Sequence, residues 1–249
     1  MTAVGTDGAG GDRIAVEERD GICTITLDRP EVRNAIDKET IDALHRTLDR
    51  LADEDTVSCV VLTGAGGKAF AAGADIAQLK ERDRTDALRA INSTLFKKLE
   101  EFPYPTIAAV VGYALGGGNE LAMACDLRVA GKSATFGQPE VGLGILAGAG
   151  AIERLPRLVG LGRAKEILYT GRFLDAEEAL AIGLVNEVVE DHAVMETALG
   201  LAKAIQKNDR LALRLTKASL NATARANDQV GLAIDAIAQA VCFESDEKH

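Results

Sequence analysis

Two runs of apolar residues that are long enough to form buried strands, Val57–Leu62 and Thr106–Val111, each precede a glycine-rich segment. A continuous apolar run of this length is typical of a strand that is covered on both faces. Between the two runs, apolar residues recur at helical spacing, at Leu88, Ile91, Leu95 and Leu99. Strands that alternate with helices favour an α/β fold with a largely parallel sheet and helices on its faces. The spacing is too irregular for a TIM barrel or a solenoid.

The two ends of the chain have different patterns. Ile14–Glu18 and Ile22–Leu27 are strand-like and are joined through Asp20-Gly21, a dipeptide typical of hairpins. Residues 1–12, which are rich in glycine and alanine, are predicted to be a disordered lead-in. From Arg157 onward the pattern is mainly helical. We therefore expect an α/β core over residues 13–190 and a C-terminal helical region over residues 191–249.

The composition excludes several classes of partner. Acidic residues outnumber basic residues by 38 to 28, for a net charge of −10, which argues against a nucleic-acid partner. No apolar run reaches the roughly 18 residues that a membrane span needs, so no membrane partner is expected. Cys23, Cys59 and Cys125 lie in apolar runs and form no CxxC pair, which indicates buried thiols in a reducing compartment. We therefore predict a cytoplasmic protein.

Two partial matches to common site motifs are rejected, and two further motifs are absent. Residues 142–147 fit the GxGxxA pattern of dinucleotide sites, but Pro139 and Glu140 precede the pattern where a strand is needed. Gly66-Gly67-Lys68 lacks the first glycine and the hydroxyl residue of a phosphate-binding loop. The GxSxG and HExxH motifs are absent, and the three histidines are scattered, so no metal site is expected.

Two glycine-rich turns, residues 70–76 and 112–120, carry the pattern that indicates chemistry. Each turn follows a strand, and backbone amides from both can converge on one point, as in an oxyanion hole. Glu120 begins a short helix among apolar neighbours, and Glu140 lies among apolar residues and glycines. A carboxyl group in such surroundings should have a raised pKa, which suits proton transfer near neutral pH. Taken singly, each feature also fits a plain structural role: a tight turn, a helix-dipole complement, or a buried acid held by backbone amides.

From about Ile14 to Glu244 the chain resembles the enoyl-CoA hydratase/isomerase (crotonase) family. The resemblance is carried by four ordered segments: GYALGGGNELAMACDLRVA at 112–130, ATFGQPEVGLG at 134–144, RLPRLVG at 154–160 and AIGLVNEVV at 181–189. It implies a crotonase-like spiral core of ββα units with a C-terminal helical layer. It also implies a homotrimer or a homohexamer.

The resemblance implies a role for each candidate site residue. Glu120 and Glu140 match the two catalytic acids of the family's hydratases, with Glu120 as the base toward water and Glu140 as the acid at the α-carbon. The amides of Ala74 and Gly117 match the oxyanion hole, and Gly148 matches a glycine that places the water. A further group matches the segments that contact CoA: Arg33, Ala72, Asp75 and Ile76.

With two acids the chain is expected to be a hydratase that converts a 2-enoyl-CoA to a 3-hydroxyacyl-CoA. CoA then enters as part of the acyl-CoA substrate, and no separate cofactor or metal is needed. Two alternatives stay open: an enoyl-CoA isomerase, which can work with one acid, and a protein that binds acyl-CoA without turnover. The loop from Ala147 to Glu153 departs from the family's PGAGGTQ, which puts the substrate range and the rate in question.

Overall fold

Residues 13–73 and 91–224 are the part of the chain that the computed structural model describes. In this part the strands are β1 Ile14–Arg19, β2 Ile22–Leu27, β3 Cys59–Gly64, β4 Ala69–Ala71, β5 Thr106–Val110, β6 Tyr113–Leu115, β7 Leu127–Gly131, β8 Thr135–Gly137, β9 Phe173–Asp175 and β10 Glu187–Val189. They form two sheets, one of six strands and one of four. The predicted lead-in, residues 1–12, lies outside the described residues.

The six-stranded sheet has the order β1-β2-β3-β5-β7-β10. The predicted hairpin of β1 and β2 is antiparallel, and every other pair in this sheet is parallel. Val61 in the middle of β3 is paired with Thr24 on one side and with Ile107 on the other. The continuous apolar runs at β3 and β5 are therefore central strands, as predicted.

The four-stranded sheet was not predicted from the sequence. Its order is β4-β6-β8-β9, and its first three strands are parallel. Two of its strands, β4 and β6, overlap the segments 70–76 and 112–120, which were interpreted as turns. The strands have only three residues each, which is too short for an alternating pattern to appear in a sequence.

The described helices are α1 Lys38–Glu54, α2 Ile91–Glu100, α3 Gly117–Ala124, α4 Ala151–Val159, α5 Leu161–Thr170, α6 Ala176–Ala181, α7 Val194–Gln206 and α8 Arg210–Thr223. Two strands followed by a helix recur along the chain, as in β1-β2-α1 and β5-β6-α3. This order agrees with the predicted α/β spiral of ββα units. None of the described helices is long and apolar enough to cross a membrane.

Helix α7, which begins the C-terminal helical region, covers one face of the six-stranded sheet. Its buried residues Val194, Ala198 and Ala202 pack against side chains of β3, β5 and β7. The opposite face of the sheet packs against α1, α2 and α3 in a larger apolar cluster. The division of the chain at residue 190 remains a prediction, and residues 225–249 lie outside the described part.

Candidate functional site

The start of helix α3 is fixed by close backbone approach. Gly116 has a φ of 52°, which turns the chain from β6 into the helix. A Cβ atom at Gly118 would lie 1.9 Å from the carbonyl oxygen of Ala71, at the end of β4. Only glycine fits there, so the helix begins directly against the second sheet. This packing places the Gly117 amide at the N-terminus of α3, where amides lack partners within the helix.

The two glycine-rich turns converge, as the sequence predicts. A Cβ atom built on Gly73 would lie 3.7 Å from the Gly117 nitrogen and 2.9 Å from the Leu115 carbonyl oxygen. Gly73 immediately precedes Ala74, the other predicted oxyanion-hole residue. Ala74 lies outside the described residues, so the role of its amide in the oxyanion hole stays a prediction. Gly117 lies beside Gly73, the residue before Ala74.

Glu120 is 2% exposed and lies on the first turn of α3. Its Oε1 accepts hydrogen bonds from the amides of Ala149 at 2.8 Å and Ala151 at 3.0 Å. Burial raises the pKa of Glu120, while the two amides and the positive charge of Arg154 oppose that rise. The carboxylate therefore has specific partners for its ionised form despite its burial.

Glu140 lies in the 3₁₀ helix Pro139–Leu143 and is half-buried. Burial raises the pKa of Glu140 to about 7; a hydrogen bond from its own backbone amide lowers it, and the negative charge of Glu120 raises it further. A Cβ atom at Gly116 would lie 2.9 Å from Glu140 Oε1. Since the Glu120 amide donates to the Gly116 carbonyl at 2.9 Å, both acids flank the same glycine.

Gln138 and Asn119 link the segments that carry the two acids, and neither was singled out in the sequence. With its nitrogen facing Glu140, the Gln138 amide donates to both carboxylate oxygens at 3.1 Å. Asn119 Nδ2 then donates to the Gln138 oxygen at 3.2 Å. The signal available in the sequence was an amide residue two positions before a candidate acid. The structure shows that this amide is buried.

The predicted CoA-contacting residues that fall within the described part lie together. The Arg33 carbonyl accepts a hydrogen bond from the Ala72 amide at 3.0 Å, and the Ile36 amide donates to the Gly73 carbonyl at 2.9 Å. The Arg33 guanidinium is exposed and lies 5.8 Å from the centre of the Tyr113 ring. Asp75 and Ile76 lie outside the described residues, and the role of all four toward CoA stays a prediction.

The loop that departs from the family pattern supplies the amides that hold Glu120. Gly148 is exposed in this loop just before Ala149, and its predicted role in placing water remains a prediction. Ala149 and Ala151 were not predicted from the sequence, because they act through backbone amides, which residues of almost every type possess. Ala151 stands where the family pattern has a glycine. Because the hydrogen bond to Glu120 comes from the backbone amide, this substitution leaves the donor in place. Glu153, the last changed residue, turns away to pair with Arg157 at 2.7 Å.

The arrangement is suited to moving protons around a polarised carbonyl group. One acid is held by backbone amides, the other has a pKa near neutrality, and a helix N-terminus offers an amide beside both. Among residues 13–73 and 91–224, no three His, Cys, Asp or Glu side chains are grouped as metal ligands.

Comparisons with known proteins agree with this geometry. Residues 17–249 match the model of the family described as enoyl-CoA hydratase/isomerase. The short-chain-enoyl-CoA hydratase of Clostridium acetobutylicum and the crotonyl-CoA hydratase of Syntrophomonas wolfei are each 39% identical to the chain, over 95% of its length and 92% of theirs. A crystal structure of the enoyl-CoA hydratase from Bacillus anthracis superposes with a TM-score of 0.92 at 36% identity, covering 95% of this chain and 93% of that one.

Proposed function

The chain belongs to the enoyl-CoA hydratase/isomerase family, and we propose that it acts there as a hydratase, a lyase that adds water reversibly to a 2-enoyl-CoA thioester. The product is the 3-hydroxyacyl-CoA. Two curated hydratases with 39% identity over nearly the whole chain support this activity. Because both are named for short-chain or crotonyl substrates, we extend the proposal to a short acyl chain.

In the proposed mechanism the backbone amides of Gly117 and Ala74 donate hydrogen bonds to the thioester oxygen. These two donors polarise the carbonyl and stabilise the enolate that develops as water attacks the β-carbon. Glu120 takes a proton from the water, and Glu140 delivers a proton to the α-carbon. Gly148 contributes to the placement of the water. CoA is part of the substrate, so the reaction needs no separate cofactor.

One observation carries the assignment of two different roles to the two acids. Burial raises the pKa of Glu120, but two amides and the positive charge of Arg154 oppose that rise, whereas burial and the charge of Glu120 raise the pKa of Glu140 to about 7. Carboxyl groups whose environments differ in this way commonly act as a base and an acid at one site. The assignment of Glu120 as the base and Glu140 as the acid follows from that difference.

For the CoA part of the substrate we propose binding near the start of β6 by the exposed Arg33 and the half-buried Ala72. We propose the same role for Asp75 and Ile76, which lie outside the described residues. The hydrogen bond between the Ala72 amide and the Arg33 carbonyl holds two of these residues side by side. Arg33 can offer its guanidinium to a phosphate of CoA. An Arg33→Gln variant should then raise KM for the enoyl-CoA and leave kcat nearly unchanged.

The loss of the enoyl-thioester absorbance of crotonyl-CoA tests the proposed activity. Wild-type protein should consume the chromophore and form 3-hydroxybutyryl-CoA, and the double variant Glu120→Gln/Glu140→Gln should not. Binding of crotonyl-CoA without any turnover would indicate a protein that only holds acyl-CoA. Conversion of a 3-enoyl-CoA without hydration of the 2-enoyl-CoA would indicate an isomerase.

We also propose a homotrimer or homohexamer in the cytoplasm. Large apolar side chains remain exposed on α5, on α8 and in the loop after Glu140, which supports burial against other copies: Leu143, Leu146, Leu161, Tyr169 and Leu220. The described cysteines Cys23, Cys59 and Cys125 are buried free thiols, which supports a reducing compartment. Light scattering coupled to size-exclusion chromatography measures the assembly directly.

A further inference from the structure

Arg154 is a buried arginine beneath the loop that holds Glu120. It lies on α4 and is 6% exposed. Its Nη1 donates to the Ala149 carbonyl at 3.1 Å, and its Nη2 donates to Glu100 Oε2 on α2 at 2.7 Å. The guanidinium thus ties a rigid helix to the loop between Ala147 and the start of α4.

The guanidinium of Arg154 fits against the loop because Gly150 has no side chain. Gly150 has a φ of 117°, and a Cβ atom there would lie 1.8 Å from Arg154 Nη1. The Gly150 carbonyl also accepts the Arg154 amide at 2.8 Å, which starts the first turn of α4. The side chain of Arg154 therefore holds Ala149, and its backbone amide holds Gly150, the next residue along the loop.

The same segment holds the Glu120 carboxylate, through the amides of two residues, Ala149 and Ala151. Ala149 gives its amide to Glu120 Oε1 and its carbonyl to Arg154 Nη1, so the two side chains contact one residue from opposite directions. Ala151 gives the second amide, from the N-terminus of α4. The negative charge of Glu120 therefore faces the positive end of α4, with a guanidinium close behind it.

We propose that Arg154 is a positioning residue of the hydration reaction, which holds the 149–151 segment against Glu120 and keeps that carboxylate ionised and aimed at the water. Glu100 serves as the anchor that fixes the guanidinium. This inference rests on the proposed hydratase function. Arg154 itself is assigned no contact with the substrate.

The forked shape of arginine is needed for this task. One nitrogen reaches the Ala149 carbonyl while another reaches Glu100, and a lysine ammonium at the same place cannot span both. The described charged groups near this cluster are Glu120, with Glu140 beside it, on the site side, and on the far side Glu100 and Arg157 together with Asp126, Arg128 and Lys217, which line the same cavity. Arg157 faces Glu100 Oε1 at 3.8 Å and is the natural comparison, because it shares the anchor and its own hydrogen bond goes to Glu153 on α4.

The test is the pH dependence of kcat/KM for crotonyl-CoA in the full-length Arg154→Gln variant. We expect kcat to fall roughly ten- to a hundredfold, as misplacement of a catalytic group does, with a smaller change in KM. The acid limb is the fall of kcat/KM at low pH, where the base Glu120 becomes protonated. It should move upward by about one pH unit, because the positive charge of Arg154, which opposes the rise in the pKa of Glu120, is removed. A uniform loss of rate with an unmoved acid limb would overturn the proposal, since that is the signature of a merely structural role.

Arg157→Gln is the matched control, because it removes the same charge beside the same glutamate and should leave the acid limb in place. An equal shift in this control would also overturn the proposal. If Arg154→Gln does not fold, Arg154→Lys decides, because lysine keeps the charge but cannot reach both Ala149 and Glu100. The loosened amides of residues 149 and 151 should then lower kcat and move the acid limb upward, and an unmoved limb contradicts the proposal. Wild-type protein without hydratase activity would instead refute the proposed function, so the two failures are distinguishable.

Discussion

The Glu120 carboxylate lies close enough to Glu140 for its negative charge to raise the pKa of Glu140, which burial already brings to about 7. The two acids flank Gly116, one through the amide of Glu120 and the other through Oε1 of Glu140. They differ in their partners, since Glu120 is held by two loop amides and Glu140 by the Gln138 amide. Two unequal acids around one glycine give the site its pH behaviour.

The first prediction concerns the wild-type pH profile. Hydration needs Glu120 ionised and Glu140 protonated, so kcat/KM should be bell-shaped. It should fall above about pH 7 as Glu140 loses its proton, and fall at low pH as Glu120 gains one. The two apparent pKa values belong to the coupled pair. Initial rates with crotonyl-CoA from pH 4 to pH 10 provide the measurement, and a profile that keeps rising from pH 7 to pH 10 would contradict this assignment.

The second prediction concerns Glu120→Gln. The glutamine oxygen can still accept the Ala149 and Ala151 amides, so the fold and the substrate KM should change little. The variant has no base toward water, and kcat should fall by roughly 10²- to 10⁴-fold. Chromophore loss gives kcat, and a thermal melt checks the fold. Glu153→Gln, which makes the same change at an exposed glutamate two residues after Ala151, is the control and should keep wild-type activity. Near-full activity of Glu120→Gln would refute its role.

The third prediction links Glu140 to stability. A folded-state pKa of about 7, above the ordinary value of 4.5, means that the buried carboxyl is tolerated below pH 4.5 and costs stability as the pH rises through 7. Glu140→Gln removes this cost, so the variant should melt above wild type at pH 8.5 and close to it at pH 4.5. Thermal melts at the two pH values give the difference. Glu187→Gln, at an exposed site, makes the same charge change and should show no such dependence.

The fourth prediction concerns Gly116→Ala. The new Cβ would lie 2.9 Å from Glu140 Oε1 and would push that carboxylate out of place. We expect kcat for hydration to fall about tenfold or more. Gly67→Ala is the matched control: Gly67 also has a positive φ, of 66°, but a Cβ there meets nothing within 4 Å. Both variants place a side chain at a positive φ and carry backbone strain, so equal losses of kcat would contradict a specific effect on Glu140.

Much of the fold could be predicted from local pattern. The long apolar strands β3 and β5 and the hairpin of β1 and β2 have signals within a few residues, and the structure confirms them. The family and the hydratase class were equally readable and are confirmed by the comparisons, because the ordered segments around Glu120 and Glu140 are specific. The three-residue strands of the second sheet were missed, since they are too short to carry a period.

The sequence by itself determined which residues could transfer protons, because two carboxyl groups among apolar residues and glycines can be identified from the order of residues alone. Only the tertiary structure decided how those acids differ. The partners that set them apart are backbone amides of residues 149 and 151, a buried amide at Gln138 and a guanidinium at Arg154. A backbone donor is the same atom in every residue except proline, so its contribution depends on where the chain folds and not on which side chain it bears.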